Sequence, residues 1–261
     1  MATRRSLAWA LGIGLAMLLA AGAGLVGGCG EPGGAPPGPG PAMPEAGAPA
    51  AAVPAPPASA GAGWQPLFDS KTLAGWKVTD FGGQGQVQVE DGRVVLERGQ
   101  GDLTGITWAG AALPQEDYEI ALEAQRVEGS DFFCGLTFPV RGSAATLVCG
   151  GWGGTLVGIS SFDGMDASEN ETTKMLDFEN GRWYRVRLRV TQRKIEAWID
   201  DDPVVDAEPG ERKVSVRWEV EPSQPLGVAA WRTKAAIRSI EMRLLKPEER
   251  QPKPGTEEPA P

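Results

Sequence analysis

The chain has no His, against 34 Asp plus Glu and 25 Lys plus Arg. The commonest general base and the commonest transition-metal ligand are therefore both missing. Any proton transfer falls to carboxylates, Tyr, Lys or Arg, and any metal would be a hard cation held by oxygens. One set of residues has types suited to a polyhydroxylated ring: Asp131, Arg217 and Glu219, with Trp152 and Trp231. Carboxylate and guanidinium offer bidentate hydrogen bonds to neighbouring hydroxyls, and an indole offers a flat apolar platform. In this reading Glu219 or Asp131 is the general base, its pKa raised by a dry cleft. Arg217, Trp152 and Trp231 hold the ring. The alternative is a cross-strand ion pair of little energetic weight.

A second set lies in the acidic segment Asp163-Gly164-Met165-Asp166-Ala167-Ser168-Glu169-Asn170-Glu171. Its oxygens have the flexible spacing that Ca²⁺ or another divalent metal accepts, with Asp163 and Asp166 as candidate ligands, although the spacing is not that of an EF-hand loop. Glu169 and Asn170 are candidates for the rim of the sugar site. The plainer reading is a solvated acidic loop. Cys134 and Cys149 sit symmetrically about a turn near Arg141-Gly142. They are candidates for a cross-strand disulfide or for two buried free thiols, and neither has a His to activate it.

These residues must be positioned by strands. Tyr118, Ile120, Leu122 and Ala124 alternate with polar residues. Tyr184, Val186, Leu188 and Val190 alternate with Arg185, Arg187 and Arg189, which read as a solvated face. Val87 and Val89, the turn Asp91-Gly92 and Val94 to Leu96 read as a hairpin. Val214, Val216, Trp218 and Val220 read as one further strand, which would turn Arg217 and Glu219 together to its outer face. Phe132 to Ser160 supplies three apolar strands separated by glycines. No stretch has a sustained helical period. About a dozen short strands with turn signals between them predict an all-β chain, an antiparallel sandwich or jelly roll.

The folded domain is expected over 64–245. Residues 1–29 read as an export signal, with Arg4 and Arg5 ahead of an apolar run and Val26-Gly27-Gly28-Cys29 resembling a lipobox. Cys29 would carry the lipid and attach the protein to a membrane from outside the cytoplasm. Residues 30–63 are almost entirely Ala, Pro and Gly. They read as a disordered tether reaching on the order of 100 Å. Residues 246–261 read as a charged, Pro-rich disordered tail. The net charge of -9 argues against nucleic acid as a partner. Nine Trp against two Tyr favours a carbohydrate ligand.

The opening Leu67-Phe68-Asp69-Ser70-Lys71-Thr72-Leu73-Ala74-Gly75-Trp76 resembles the 3-keto-disaccharide hydrolase family. Asp117-Tyr118-Glu119, Gly181-Arg182-Trp183-Tyr184 and Ile195-Glu196-Ala197-Trp198-Ile199-Asp200-Asp201 follow in that family's order. The resemblance covers about Trp64 to Leu245. It implies a concanavalin A-like jelly roll and hydrolase or lyase chemistry on 3-keto-glycosides. A lectin-like module without catalysis and a purely structural envelope protein are the readings that compete with it.

Overall fold

The computed structural model describes residues 63–250. The export signal, Cys29, the tether up to residue 62 and the tail from residue 251 lie outside the described residues. The strands are β1 (Gln65–Pro66), β2 (Trp76–Val78), β3 (Val87–Glu90), β4 (Arg93–Leu96), β5 (Leu103–Trp108), β6 (Tyr118–Glu128), β7 (Cys134–Val140) and β8 (Ser143–Gly151). They continue as β9 (Leu156–Ser160), β10 (Lys174–Met175), β11 (Trp183–Val190), β12 (Ile195–Ile199), β13 (Asp202–Ala207), β14 (Gly227–Trp231) and β15 (Lys234–Leu244). One sheet runs β13-β12-β11-β6-β15-β4-β3, with β1 also on β15; the other runs β10-β9-β8-β7-β14-β5-β2. All pairings are antiparallel, so the two layers form the expected jelly-roll sandwich.

The strand period shows directly in what is buried. Ile120, Leu122, Val186 and Leu188 of the first sheet meet Leu136, Phe138, Leu147 and Ile159 of the second. Burying each such side chain contributes about 1.5–3 kcal/mol. Tyr118 spans the layers, its buried hydroxyl donating to the Pro139 carbonyl at 2.5 Å. The Asp91-Gly92 hairpin closes with both residues at positive φ (48° and 76°), the geometry of a two-residue type I′ turn. Cys134 and Cys149 are direct partners across β7 and β8, as their spacing predicted. They are buried free thiols here, not a disulfide. Contact with the Cys134 thiol, together with burial, pushes the Cys149 thiol well up, which keeps it protonated and unreactive.

Two expectations about the course of the chain change. The segment from Val214 to Val220 is not a strand: Val214 makes one bridge to Phe162, then Trp218–Ser223 forms a 3-10 turn with Pro222 inside it. The chain here leaves the sheet edge and crosses the sheet's outer face, so Trp218 is exposed rather than packed in the core. Ordered chain also continues past Leu245, through a 3-10 turn at Pro247–Glu249 that Arg243 and Lys246 tie down.

The outward arginines of β11 are not simply solvated. Glu119 is 1% exposed, and Arg187, Arg189 and Arg243 all donate to it, Arg187 at 3.1 Å and Arg189 at 2.7 Å. Breaking such a buried pair leaves uncompensated charge and costs about 3–5 kcal/mol. Glu119→Gln, which leaves three guanidinium groups around a neutral amide, is therefore expected to lower unfolding free energy by about that amount. Urea denaturation followed by circular dichroism measures it, and a loss below about 1 kcal/mol would return these pairs to the ordinary surface class.

Candidate functional site

The cleft begins with a row of small residues. Gly105 pairs with Ala229, Ala229 with Gly135, Gly135 with Val148, and Val148 with Gly158. Side chains two apart share a face, so these five lie across β5, β14, β7, β8 and β9 on the outer side of the second sheet. Nothing in the row is larger than Val, and the trough it leaves spans about 19 Å at the usual strand spacing. The next row along the same face is Thr107, Gly227, Thr137, Thr146 and Ser160.

Segments lie directly on these rows. The Thr107 hydroxyl donates to the Pro222 carbonyl at 3.0 Å, and the Ser223 carbonyl sits 2.7 Å from where a Cβ on Gly227 would be. A side chain at 227 would lift the 3-10 turn off the sheet. Ala167 and Thr172 approach Gly158 in the same way, and the Phe132 ring approaches Gly135. Between the turn and Phe132 remains an open cleft of about 210 Å³. Its walls carry Arg217, Glu219 and Val220 on one side and Asp131, Phe132, Trp152 and Trp231 on the other, with Thr146, Val148 and Ser160 below. The structure thus brings together Asp131, Trp152, Arg217, Glu219 and Trp231.

Arg126 holds the second wall and was not singled out by the sequence. It is buried on β6, with no carboxylate bonded to it. Its Nε donates to Asn180 Oδ1 at 2.7 Å, and Nη1 donates to the Gly154 carbonyl at 3.2 Å and the Asp131 carbonyl at 3.5 Å. Nη2 donates to the Phe178 carbonyl. One guanidinium therefore fixes the turn bearing Asp131 and the turn bearing Trp152. The signal was present: Arg126 falls on the in-facing parity of Tyr118, Ile120, Leu122 and Ala124. A cation on an apolar parity has to be bonded by the protein, because burying it bare is costly.

Trp152 stands at φ 49°, followed by Gly153 and Gly154 at φ 92° and 111°, and the residue is 45% exposed. A bulky residue in the left-handed region, exposed and beside a cleft, carries strain that packing does not repay. Across from Phe132, Trp231 lies 6.3 Å away between ring centroids, at 37°.

The polar end is an ion cluster. Arg217 donates to Glu219 through Nε at 3.1 Å and Nη2 at 2.6 Å, and through Nη1 to Asp166. The Arg217 hydrogen bonds hold Glu219 below the ordinary value of 4.5 and outweigh the opposing effect of burial. This reverses the expectation of a raised carboxyl: the cleft is walled by a guanidinium, so it is not the apolar site that raises a carboxyl. Among the described residues the Asp131 carboxylate has no cation hydrogen-bonded to it. Its Oδ1 accepts from its neighbour Phe132 N at 2.7 Å and its Oδ2 from Gly153 N at 3.4 Å.

The acidic loop does other work. Asp163 Oδ1 accepts from Lys213 N at 2.9 Å, and Asp166 turns to Arg217 and to the Ser160 hydroxyl. The two do not meet as metal ligands, and among the described residues no three His, Cys, Asp or Glu side chains converge on a metal site. Glu169 folds back on Asp166 N at 3.2 Å and stands exposed outside the cleft wall. Asn170 is buried; its Nδ2 donates to the carbonyls of Ile159, Met165 and Asp166, and its Oδ1 accepts from Thr172. Its amide is spent on the loop, and neither Glu169 nor Asn170 is among the residues that line this cleft.

The fold and its cleft define a jelly roll with a ligand-sized groove on one outer face. Residues 63–243 match the model of the 3-keto-alpha-glucoside-1,2-lyase-like domain, and the chain belongs to that family. A search of the curated proteins found no match. Among solved structures the chain is similar to the transglycosylase Crh5 in complex with NAG (14% identity, 72% of this chain and 86% of that one, TM-score 0.50). It is also similar to a Bacillus subtilis protein of unknown function with a galectin-like fold (12%, 70% and 96%, TM-score 0.50). At these identities the likeness is one of fold.

The sign of the Glu219 shift can be measured without a ligand. A carboxyl held below its ordinary value stays ionised at pH 4.5, and what it contributes is lost only as pH falls through the lowered value. A ¹³C NMR titration of the Glu219 side-chain carboxyl is expected to show a midpoint below 4.5. A midpoint at or above it would restore Glu219 as a poised base.

Proposed function

We propose that the cleft binds a carbohydrate and eliminates the aglycone from 3-keto-glycosides, with Asp131 as the base. The observation that carries this is the convergence of Asp131, Arg217, Trp152 and Trp231 on one cleft in a chain of the lyase-like family. A keto group at C3 acidifies the proton at C2. Asp131 takes that proton, and the electron pair left on C2 delocalises onto the C3 oxygen as an enolate. Arg217 stabilises the charge there. The enolate then collapses: the C3 carbonyl reforms, a C1–C2 double bond forms and the C1–O bond breaks. The leaving oxygen takes a proton from solvent. Asp131 suits the base because no guanidinium of the described residues is hydrogen-bonded to its carboxylate, whereas Glu219 is held ionised by Arg217 and serves to orient that cation.

A general base contributes about 10²–10⁴-fold. With a 3-keto-glucoside as substrate of the full-length protein, Asp131→Asn is expected to lower kcat by at least about 100-fold. Glu219→Gln is expected to cost about tenfold or less, because the guanidinium remains. The reverse order would move the base to Glu219. One observation favours a second reading, a lectin-like module: Arg217 is already engaged by two carboxylates in the free protein. Saturable sugar binding with no turnover in the wild type would establish that reading instead.

We further propose that the protein is exported and held to a membrane by lipid on Cys29, supported by the apolar run and the lipobox-like Val26-Gly27-Gly28-Cys29. Cys29→Ser is expected to shift the protein from the membrane fraction to the soluble fraction after export. Retention of the variant in the membrane fraction would exclude lipid on Cys29 as the anchor.

A further inference from the structure

Three of the large apolar side chains that stay exposed belong to the cleft or to its chain neighbours. Trp152 forms part of its wall, and Met165 and Trp218, 40% and 79% exposed, are the chain neighbours of the ion-paired Asp166 and Arg217. Trp218 is the most exposed of these. Its indole has no hydrogen-bond, aromatic or cation–π partner among the described residues. It therefore contributes little to the fold.

The backbone that carries it is nonetheless fixed from both sides. Arg217 and Glu219, its neighbours, both line the cleft and are joined to each other at 2.6 Å. Val220 is buried against Leu103 and Ala229 of the sheet. Consecutive residues of a 3-10 turn point about 120° apart. With 217, 219 and 220 committed to the cleft and the sheet, 218 is the position that projects outward beside the rim. A rigid turn that displays an idle indole at the mouth of a groove is a preformed platform, and holding it there costs no ordering on binding.

We propose that Trp218 stacks on a sugar ring lying outside the cleft, next to the rings the cleft encloses. The ligand is then a glycan chain longer than a disaccharide. The inference rests on the carbohydrate reading above and adds a subsite to it. A flat apolar ring face on an indole is worth a few-fold to about tenfold in affinity.

The test is isothermal titration of the full-length protein with cello-, malto- and laminari-oligosaccharides of two to six units. The wild type is expected to bind longer members of at least one series about threefold to tenfold more tightly than the disaccharide. Trp218→Ala is expected to abolish that gain while leaving the affinity for the disaccharide and the melting temperature unchanged. Affinity independent of length in the wild type overturns the inference and leaves the carbohydrate reading standing, as does a length gain that survives in Trp218→Ala. Binding of no member by either protein overturns the inference, and turnover of the 3-keto-glucoside then decides separately whether the carbohydrate reading stands.

Discussion

The cleft depends on a constraint that acts on the second sheet: its outer face must stay nearly free of side chains along one row. A sheet face of ordinary residues would push away anything laid across it. Here Gly105, Gly135, Gly158 and Ala229 keep the row low, and beside it Gly227 gives the 3-10 turn its seat. The clearance is small. A Cβ at Gly135 would lie 2.9 Å from the Phe132 ring, and one at Gly227 2.7 Å from the Ser223 carbonyl. These glycines give up stabilising strand propensity. In exchange the chain can fold Phe132, Ala167 and the turn at 218–223 down onto the sheet, and those segments become walls.

Walls made of loops need to be fixed, and two guanidinium groups do this in different ways. Arg126 is buried and bonds mostly backbone carbonyls, so it sets where the chain runs. Arg217 is partly exposed and bonds carboxylates, so it sets where charge sits. The first arrangement is insensitive to pH, because backbone carbonyls do not titrate. The second loses a partner when a carboxylate is protonated, and its working range is extended into acid by the same hydrogen bonds that lower Glu219. Position and charge in the cleft are thus controlled separately.

Much of this was legible in the residues, and the gaps have physical causes. The alternation in β6 and β11 forecast both the strands and their buried faces, because a half-buried strand writes its period of two into the sequence. Arg217 and Glu219 were paired for the wrong reason. They share the cleft because one grips the other across a 3-10 turn, not because they alternate on a strand. Val214, Val216 and Val220 imitate a strand because the segment also has a sheet to cover, and only Pro222 argues against it. Asn170 looked like a free polar group since nothing in its neighbours reveals that it must satisfy three carbonyls of its own loop. The row of glycines was invisible for another reason: its members are spread from 105 to 229, and only strand pairing brings them side by side.

The tryptophan count shows how a compositional signal divides once positions are known. Trp76 and Trp108 pack edge to face at 5.3 Å near the sandwich rim. Trp64, Trp183 and Trp198 lie under Arg243, Arg238 and Arg187 on the first sheet's outer face, at 5.5, 4.1 and 3.8 Å. There the indoles support the ion lattice around Glu119 and Glu123, in which arginine and carboxylate alternate. A face whose charges are mutually satisfied and whose indoles are already covered by guanidinium has little left to offer a ligand. The second sheet is arranged the other way, with Trp152 partly exposed and strained and the Asp131 carboxylate bonded only by backbone N–H groups among the described residues. An abundance of Trp therefore did not by itself locate a sugar site. What distinguishes the cleft is Trp152, an exposed indole on which no arginine of the described residues is stacked, next to an Asp131 carboxylate that accepts from backbone N–H groups.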